Sequence, residues 1–246
     1  MSKIDHRNLY YSFHYKKFAG QTLNWCSTDS EVLYKKNYEE KFETLKSNGW
    51  LDTKFKYDFN SHGFRGDEFS SQPSIMFLGC SYTMGIGLPI EDTWSTIVAK
   101  QLNLHSNNLA VGGGSSDTAF RLCLGWIEKI KPKMIIFLQP PGFRIELVND
   151  YKNKILSIQH QGDHSKFIEE WNITDDNNYL NSLKNNLAIK FLCNNLDIKY
   201  FYFETECLTN DPIDWARDLA HVGPKTHRRF ADYVIEKIKN GSAGEI

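Results

Sequence analysis

No stretch of the 246-residue sequence stays apolar for the length of a membrane span, and its opening, MSKIDHRNLYYSFHYKK, is polar and basic with no apolar segment of the kind that directs secretion. A cytoplasmic chain is therefore expected. Cysteine is scarce: Cys26, Cys80, Cys123, Cys193 and Cys207 are odd in number, widely spread and free of CxxC spacing, which argues against both a disulfide framework and a zinc site. His160 and His164 lack carboxylate or cysteine partners at ligand spacing, so no metal is called for. Neither sign of charge dominates, with Lys+Arg 29 against Asp+Glu 30, and a net charge of -1 gives no electrostatic reason to bind nucleic acid or an anionic membrane. Internal repeats and low-complexity tracts are missing too.

What remains is patterning. From Ile75 to Lys239 short apolar runs alternate with longer amphipathic ones, the signature of a parallel sheet covered by helices. The expected strands are 74–79 (SIMFLG), 107–111 (NNLAV), 133–139 (KMIIFLQ) and 198–204 (IKYFYFE). The expected helices are 91–102, 115–130, 176–196 and 224–239, the last opened by Pro224 and carrying a buried stripe at Phe230, Val234 and Ile238. Trp94 and Trp126 fall on amphipathic helices and read as core. Between Pro140 and Thr174 lies an insertion without a clear period, longer than most loops of compact domains. Residues 1–59 differ in texture, being rich in Tyr, Lys and Asn. They read as an extension or lid with one helix over 31–49, and Tyr10, Tyr11, Phe13 and Tyr15 are expected to pack on the core. One α/β core over 60–240 fits the length, with residues 241–246 as a disordered tail.

Three segments could carry chemistry. GCSYTMGIG (79–87) leaves the first strand and enters a helix, putting Ser81 at the carboxyl edge where open α/β sheets hold ligands; the plain alternative is a glycine-rich turn, since neither phosphate-loop pattern is matched. DLAH (218–221) spaces Asp218 and His221 so that the carboxylate can accept from the near imidazole nitrogen and leave the far one as a base, although DxxH also occurs in solvated loops and caps. NLAVGGGSSD (108–117) brings glycine amides to a helix start, suited to a developing oxyanion or simply to a tight turn. His227, with no partner in view, reads as a surface or capping residue.

In this order the segments resemble the blocks of the SGNH (GDSL-like) hydrolase superfamily over roughly residues 60–240. GCSYT is similar to the first block, with Ser81 as nucleophile. NLAVGG is similar to the second, with Gly113 as oxyanion glycine, and DLAHVGPKTH to the fifth, with Asp218 and His221; NSHGFRGDEF (60–69) resembles the lead-in of many members. The resemblance implies a three-layer flavodoxin-like sandwich with a central parallel sheet. It also implies a cofactor-free serine ester hydrolase acting through an acyl-enzyme, with the amides of Ser81 and Gly113 in the oxyanion hole. The substrate it implies is a small-molecule or carbohydrate ester, and an O-acyl (O-acetyl) group on a carbohydrate is favoured because no apolar long-chain channel stands out.

Two positions depart from the pattern. Cys80 replaces the usual acidic residue before the serine and is expected to be buried. At the third block, where an Asn side chain donates to the oxyanion, stand Pro141 and Gly142, and one such donor is worth about 3 kcal/mol in serine hydrolases. Gln139 or Arg144 could substitute, with Arg144 read first as a surface loop charge. The gap leaves a non-catalytic binding or structural protein on the same scaffold as the alternative, and the two glycine-rich turns leave a nucleotide-binding flavodoxin-like domain as a third reading.

Overall fold

The structure is a computed structural model that describes residues 10–12, 14–149, 154–158 and 175–241; His160, His164, Phe13, most of the 140–174 insertion and residues 242–246 lie outside the described residues. Among the described residues of the N-terminal part, a short helix, Tyr15–Phe18 (α1), precedes a two-stranded antiparallel ribbon of Thr22–Leu23 (β1) and Tyr57–Asp58 (β2). Between these strands the expected single helix over 31–49 is two, Glu31–Glu40 (α2) and Phe42–Ser47 (α3). Lys41 leaves the helical region with φ -136 and ψ 36, so that buried Asn37 on one helix and buried Leu45 on the other both turn inward. Tyr10 packs edge-on against Trp126, whose indole donates to the Tyr10 carbonyl at 2.7 Å.

The main sheet has four strands, Ser74–Leu78 (β3), His105–Asn108 (β4), Met134–Gln139 (β5) and, after the antiparallel pair Ile145–Asn149 (β6) and Lys154–Ile158 (β7), Lys199–Glu204 (β8). Its order is β4-β3-β5-β8 with every pairing parallel. The apolar strands β3 and β5 are buried along their full length, as strands covered on both faces must be. β4 is instead the polar HSNN, two residues earlier than the apolar run suggests. It is an edge strand, and beyond it Leu109 and Val111 are buried against Met76 and Leu78 while Ala110 is buried with Met84 and Ile86.

Side chains alternate across the pleat, and the two faces of β3 feed two cores. Ile75 and Phe77 pack with Trp94, Ile97, Phe230 and Val234, from helices Trp94–Gln101 (the fifth in the chain, after Ser81–Met84, α4; hence α5) and Pro224–Lys239. Met76 and Leu78 pack with Leu122, Trp126 and Ile189, from Ser116–Ile130 (α6) and Asp175–Asn195 (α7). Glu206–Thr209 (α8) follows β8 and leads toward Pro224–Lys239 (α9), whose ends match the sequence expectation. The product is a three-layer α/β sandwich. From β3 the chain crosses to β4 on one side and later to β5 on the other, so the topological switch point, and the crevice it opens, lies at the carboxyl end of β3.

Candidate functional site

Ser81 sits at that switch point. The turn out of β3 runs through Gly79, whose φ of +156 is matched by crowding: a Cβ there would lie 2.2 Å from Thr83 Oγ1 and 3.1 Å from the Leu138 carbonyl oxygen, so only glycine fits. Buried Cys80 then occupies the cap position, and Ser81 is the first residue of α4, where the backbone N–H has no acceptor within the helix. The segment 60–69 fixes the far end of this turn. Arg65, buried, lays its guanidinium against the Tyr57 ring and donates to the carbonyls of Met84, Gly85 and Leu88, the last at 2.6 Å.

The sequence brings His221 and Asp218 to Ser81 from 140 residues away. His221 Nε2 lies 2.9 Å from Ser81 Oγ and its Nδ1 lies 2.7 Å from Asp218 Oδ2. The Asp218 carboxylate accepts four hydrogen bonds. Its Oδ1 takes the backbone N–H groups of Ala220 and His221, both at 3.0 Å, and its Oδ2 takes the Thr28 hydroxyl at 2.6 Å beside the imidazole. Burial pushes this carboxyl up, but the bonds from His221, Thr28 and Ala220 outweigh it and hold the group below its ordinary range. Thr28 comes from the N-terminal part, as does Asn37, whose amide donates to the Asp218 carbonyl oxygen at 3.1 Å. Next in sequence to Asp218, Arg217 forms a buried ion pair with Asp29 and lies between the Trp25 and Phe55 rings. Asp29 also accepts from Tyr57 Oη, which in turn accepts from the Gly87 N–H. No signal in the sequence marks Thr28 or Asn37, because both lie outside the resembling blocks.

On the other side of Ser81, the Val111 N–H donates to the Gly79 carbonyl at 3.3 Å, which extends the β3–β4 pairing past the strands and holds the glycine turn at 112–114 beside the serine turn. Gly113 has φ +74. The two substitutes for the third-block donor part company. Gln139, buried, donates its amide to the Pro140 carbonyl at 3.2 Å and lines a cavity whose lining includes neither Ser81 nor Gly113. Arg144 is not a surface loop charge: its Nε and Nη1 are buried without a hydrogen-bond partner, and its charge reaches Tyr82. Burial pushes the Tyr82 phenol up while Arg144 pulls it down, and the Tyr82 ring stands edge-on to His221 at 5.0 Å.

His227 is not at the surface either. It is fully enclosed, and its Nδ1 accepts the backbone N–H of Trp94, the first residue of α5, so it caps a neighbouring helix. All five cysteines are unpaired thiols, four of them buried. Among the described residues, no helix is long and apolar enough to cross a membrane, and no group of three potential ligands could hold a metal.

The fold and geometry define a three-layer α/β protein with a Ser–His–Asp hydrogen-bonded chain at the switch point of its sheet. No family model and no curated protein matches the sequence. Among solved structures the chain is similar to the psychrotrophic esterase EstA from Pseudoalteromonas sp., at 15% identity and a TM-score of 0.35 over 68% of this chain and 97% of that one. It is also similar to TesA, at 12% identity and 0.39 over 68% and 98%. A third is the acetyl xylan esterase Est2A from the rumen bacterium Butyrivibrio proteoclasticus, at 16% identity and 0.39 over 72% and 66%. Similarity at this level does not extend to the reaction.

Proposed function

We propose that the chain is a serine ester hydrolase of SGNH type that works through an acyl-enzyme, on an O-acyl group of a carbohydrate. The observation that carries the reading is the unbroken chain Ser81 Oγ, His221 Nε2, His221 Nδ1, Asp218 Oδ2, with both links at hydrogen-bond length. His221 takes the Ser81 proton as Oγ attacks the ester carbonyl, and Asp218 holds the ring and stabilises the imidazolium. Collapse of the tetrahedral adduct returns that proton to the leaving alcohol. A water then attacks the acyl-enzyme with the same histidine as base, releasing the acid and restoring Ser81.

The amides of Ser81 and Gly113 hold the oxyanion in this reading, and Arg144 supplies the third donor. Two buried, partnerless guanidinium nitrogens near Tyr82 support that role. The residues before 60 belong to the working unit, since Thr28 and Asn37 bond to Asp218. Unpaired thiols fit the reducing, cytoplasmic setting.

A fluorophosphonate probe, followed by mapping of the modified residue, tests the reading together with p-nitrophenyl acetate turnover. Labelling is expected at Ser81, and Ser81→Ala should abolish both signals. Equal turnover by the wild type and Ser81→Ala rejects the hydrolase. The commitment of Gln139 to Pro140 favours the second reading, a non-catalytic binding protein on this scaffold, and an unlabelled, correctly folded wild type is its expected result.

A further inference from the structure

A second crevice opens on the same edge of the sheet, one strand over from Ser81. Register places Leu78 opposite Phe137 and Gln139 opposite Glu204, so the ends of β3, β5 and β8 lie side by side. Between the last two and the first turns of α7 is a cavity of about 330 Å³, lined by Gln139, Gly142, Asn178, Ser182, Tyr202 and Glu204 among others. This is the low end of the volumes that hold small molecules, roughly 300 to 1,000 Å³.

The cavity holds an unmet demand. Gln139 is only 5% exposed, and with its amide committed to Pro140 its Oε1 has no hydrogen-bond partner; Ser182 Oγ is likewise buried and partnerless. A carbonyl left dry and unbonded forfeits its hydration outright, so such a group calls for a donor from outside the chain. The rest of the lining says which kind. Glu204 and Glu206 add carboxylate acceptors, and among the described lining residues there is no Lys, Arg or His. That composition disfavours phosphates, carboxylates and uronic acids. The Tyr179 ring, 65% exposed at the rim, together with Pro140, Pro141 and Leu183 offers apolar faces beside the acceptors. A ring with one apolar face and several hydroxyl donors meets both conditions.

We infer that this cavity is a subsite for a neutral pyranose, with sugar hydroxyls donating to Gln139 Oε1 and bonding to Ser182. The inference rests on the proposed hydrolase in assigning the sugar to the alcohol side of the ester, while the binding itself is separately measurable. The Ser81→Ala protein is titrated with methyl β-glucopyranoside and methyl β-xylopyranoside, beside glucuronate, and backbone amide shifts are followed by NMR.

The neutral glycosides should move the amides of Gln139, Gly142 and 178–182 with millimolar affinity, and glucuronate should not. Gln139→Leu and, as a milder change, Ser182→Ala should each weaken binding by about tenfold, the equivalent of one hydrogen bond, with thermal unfolding confirming that the variants fold. No shift with either glycoside, a preference for glucuronate, or affinity unchanged in both variants overturns the subsite. Glycoside binding without fluorophosphonate labelling of the wild type removes the hydrolase and keeps the subsite; labelling without glycoside binding does the reverse.

Discussion

Replacing Asp218 by Asn changes one atom and should disable the site while leaving its shape intact. The carboxylate accepts four bonds: two backbone N–H groups on Oδ1, and the Thr28 hydroxyl and His221 Nδ1 on Oδ2. An Asn side chain has one oxygen. If that oxygen stays on the two backbone donors, the new NH2 faces Thr28, which can accept, and His221 Nδ1, which must now accept as well. The imidazole proton then moves to Nε2, which donates to Ser81 instead of taking its proton. Flipping the amide to avoid this sets NH2 against two backbone N–H groups, at about 1–3 kcal/mol for each donor left unsatisfied. The wrong tautomer is therefore the lower-energy outcome. Loss of the correct one costs on the order of 10⁴-fold in kcat in serine proteases, about 5–6 kcal/mol of barrier, and a similar fall with KM little changed is expected here. Turnover of p-nitrophenyl acetate and the rate of fluorophosphonate labelling measure it, and the imidazole ¹⁵N shifts report the tautomer directly. A variant that keeps activity within about tenfold of wild type, with Nδ1 still protonated, would refute the assignment of Asp218.

Thr28→Val removes a hydroxyl donor to a buried carboxylate without changing its shape. Because the bond exists before and during the reaction, kcat should fall only by up to about tenfold, while the Asp218 carboxyl titrates higher in a ¹³C NMR experiment; an unmoved titration removes Thr28 from the positioning role. Arg144→Met should lower kcat by roughly 10²-fold if the guanidinium completes the oxyanion hole, and an effect on KM alone would make it a binding residue instead. His227 supplies the acid limb of stability: burial first, then the charges of His221 and Arg65, depress it from 6.5 to about 3 in the folded chain. Between those values the unfolded chain binds a proton that the folded one does not. Its contribution is therefore complete above pH 6.5 and drains away as pH falls toward 3. His227→Asn, which keeps an acceptor for the Trp94 N–H, should flatten urea-measured stability in that window by up to about 1.4 kcal/mol per pH unit, and an unchanged slope discounts His227.

The sequence made the centre of the fold legible and its margins much less so. β5 and α9 are where their patterns put them, because a strand covered on both faces must be apolar throughout and a helix opened by proline has a defined start. β4 misled in its start because an edge strand tolerates HSNN, while the apolar run after it continues the pairing with β3 through the Leu109 and Val111 N–H groups and packs against Met76 and Leu78. The break at Lys41 has no glycine or proline to announce it; it follows from where Asn37 and Leu45 point in three dimensions. Ser81, Asp218 and His221 were visible as residues of the right type in the right order, and they lie within bonding distance. Thr28 was not, since an exposed Thr among many polar residues gains its meaning only from a partner 190 positions away.

That separation bears on how the site is assembled. The bonds from Thr28 and Asn37 to Asp218 tie these residues to one synthesised 190 and 181 positions later. Contacts of such long range form late, after the sheet and its helices have brought the two segments together. In the proposed hydrolase, reactivity of Ser81 is then a readout of completed folding, lagging behind the recovery of helix signal when the denatured chain is returned to native conditions. A nascent chain stalled before residue 218 would carry the serine turn but none of the partners that give it a base.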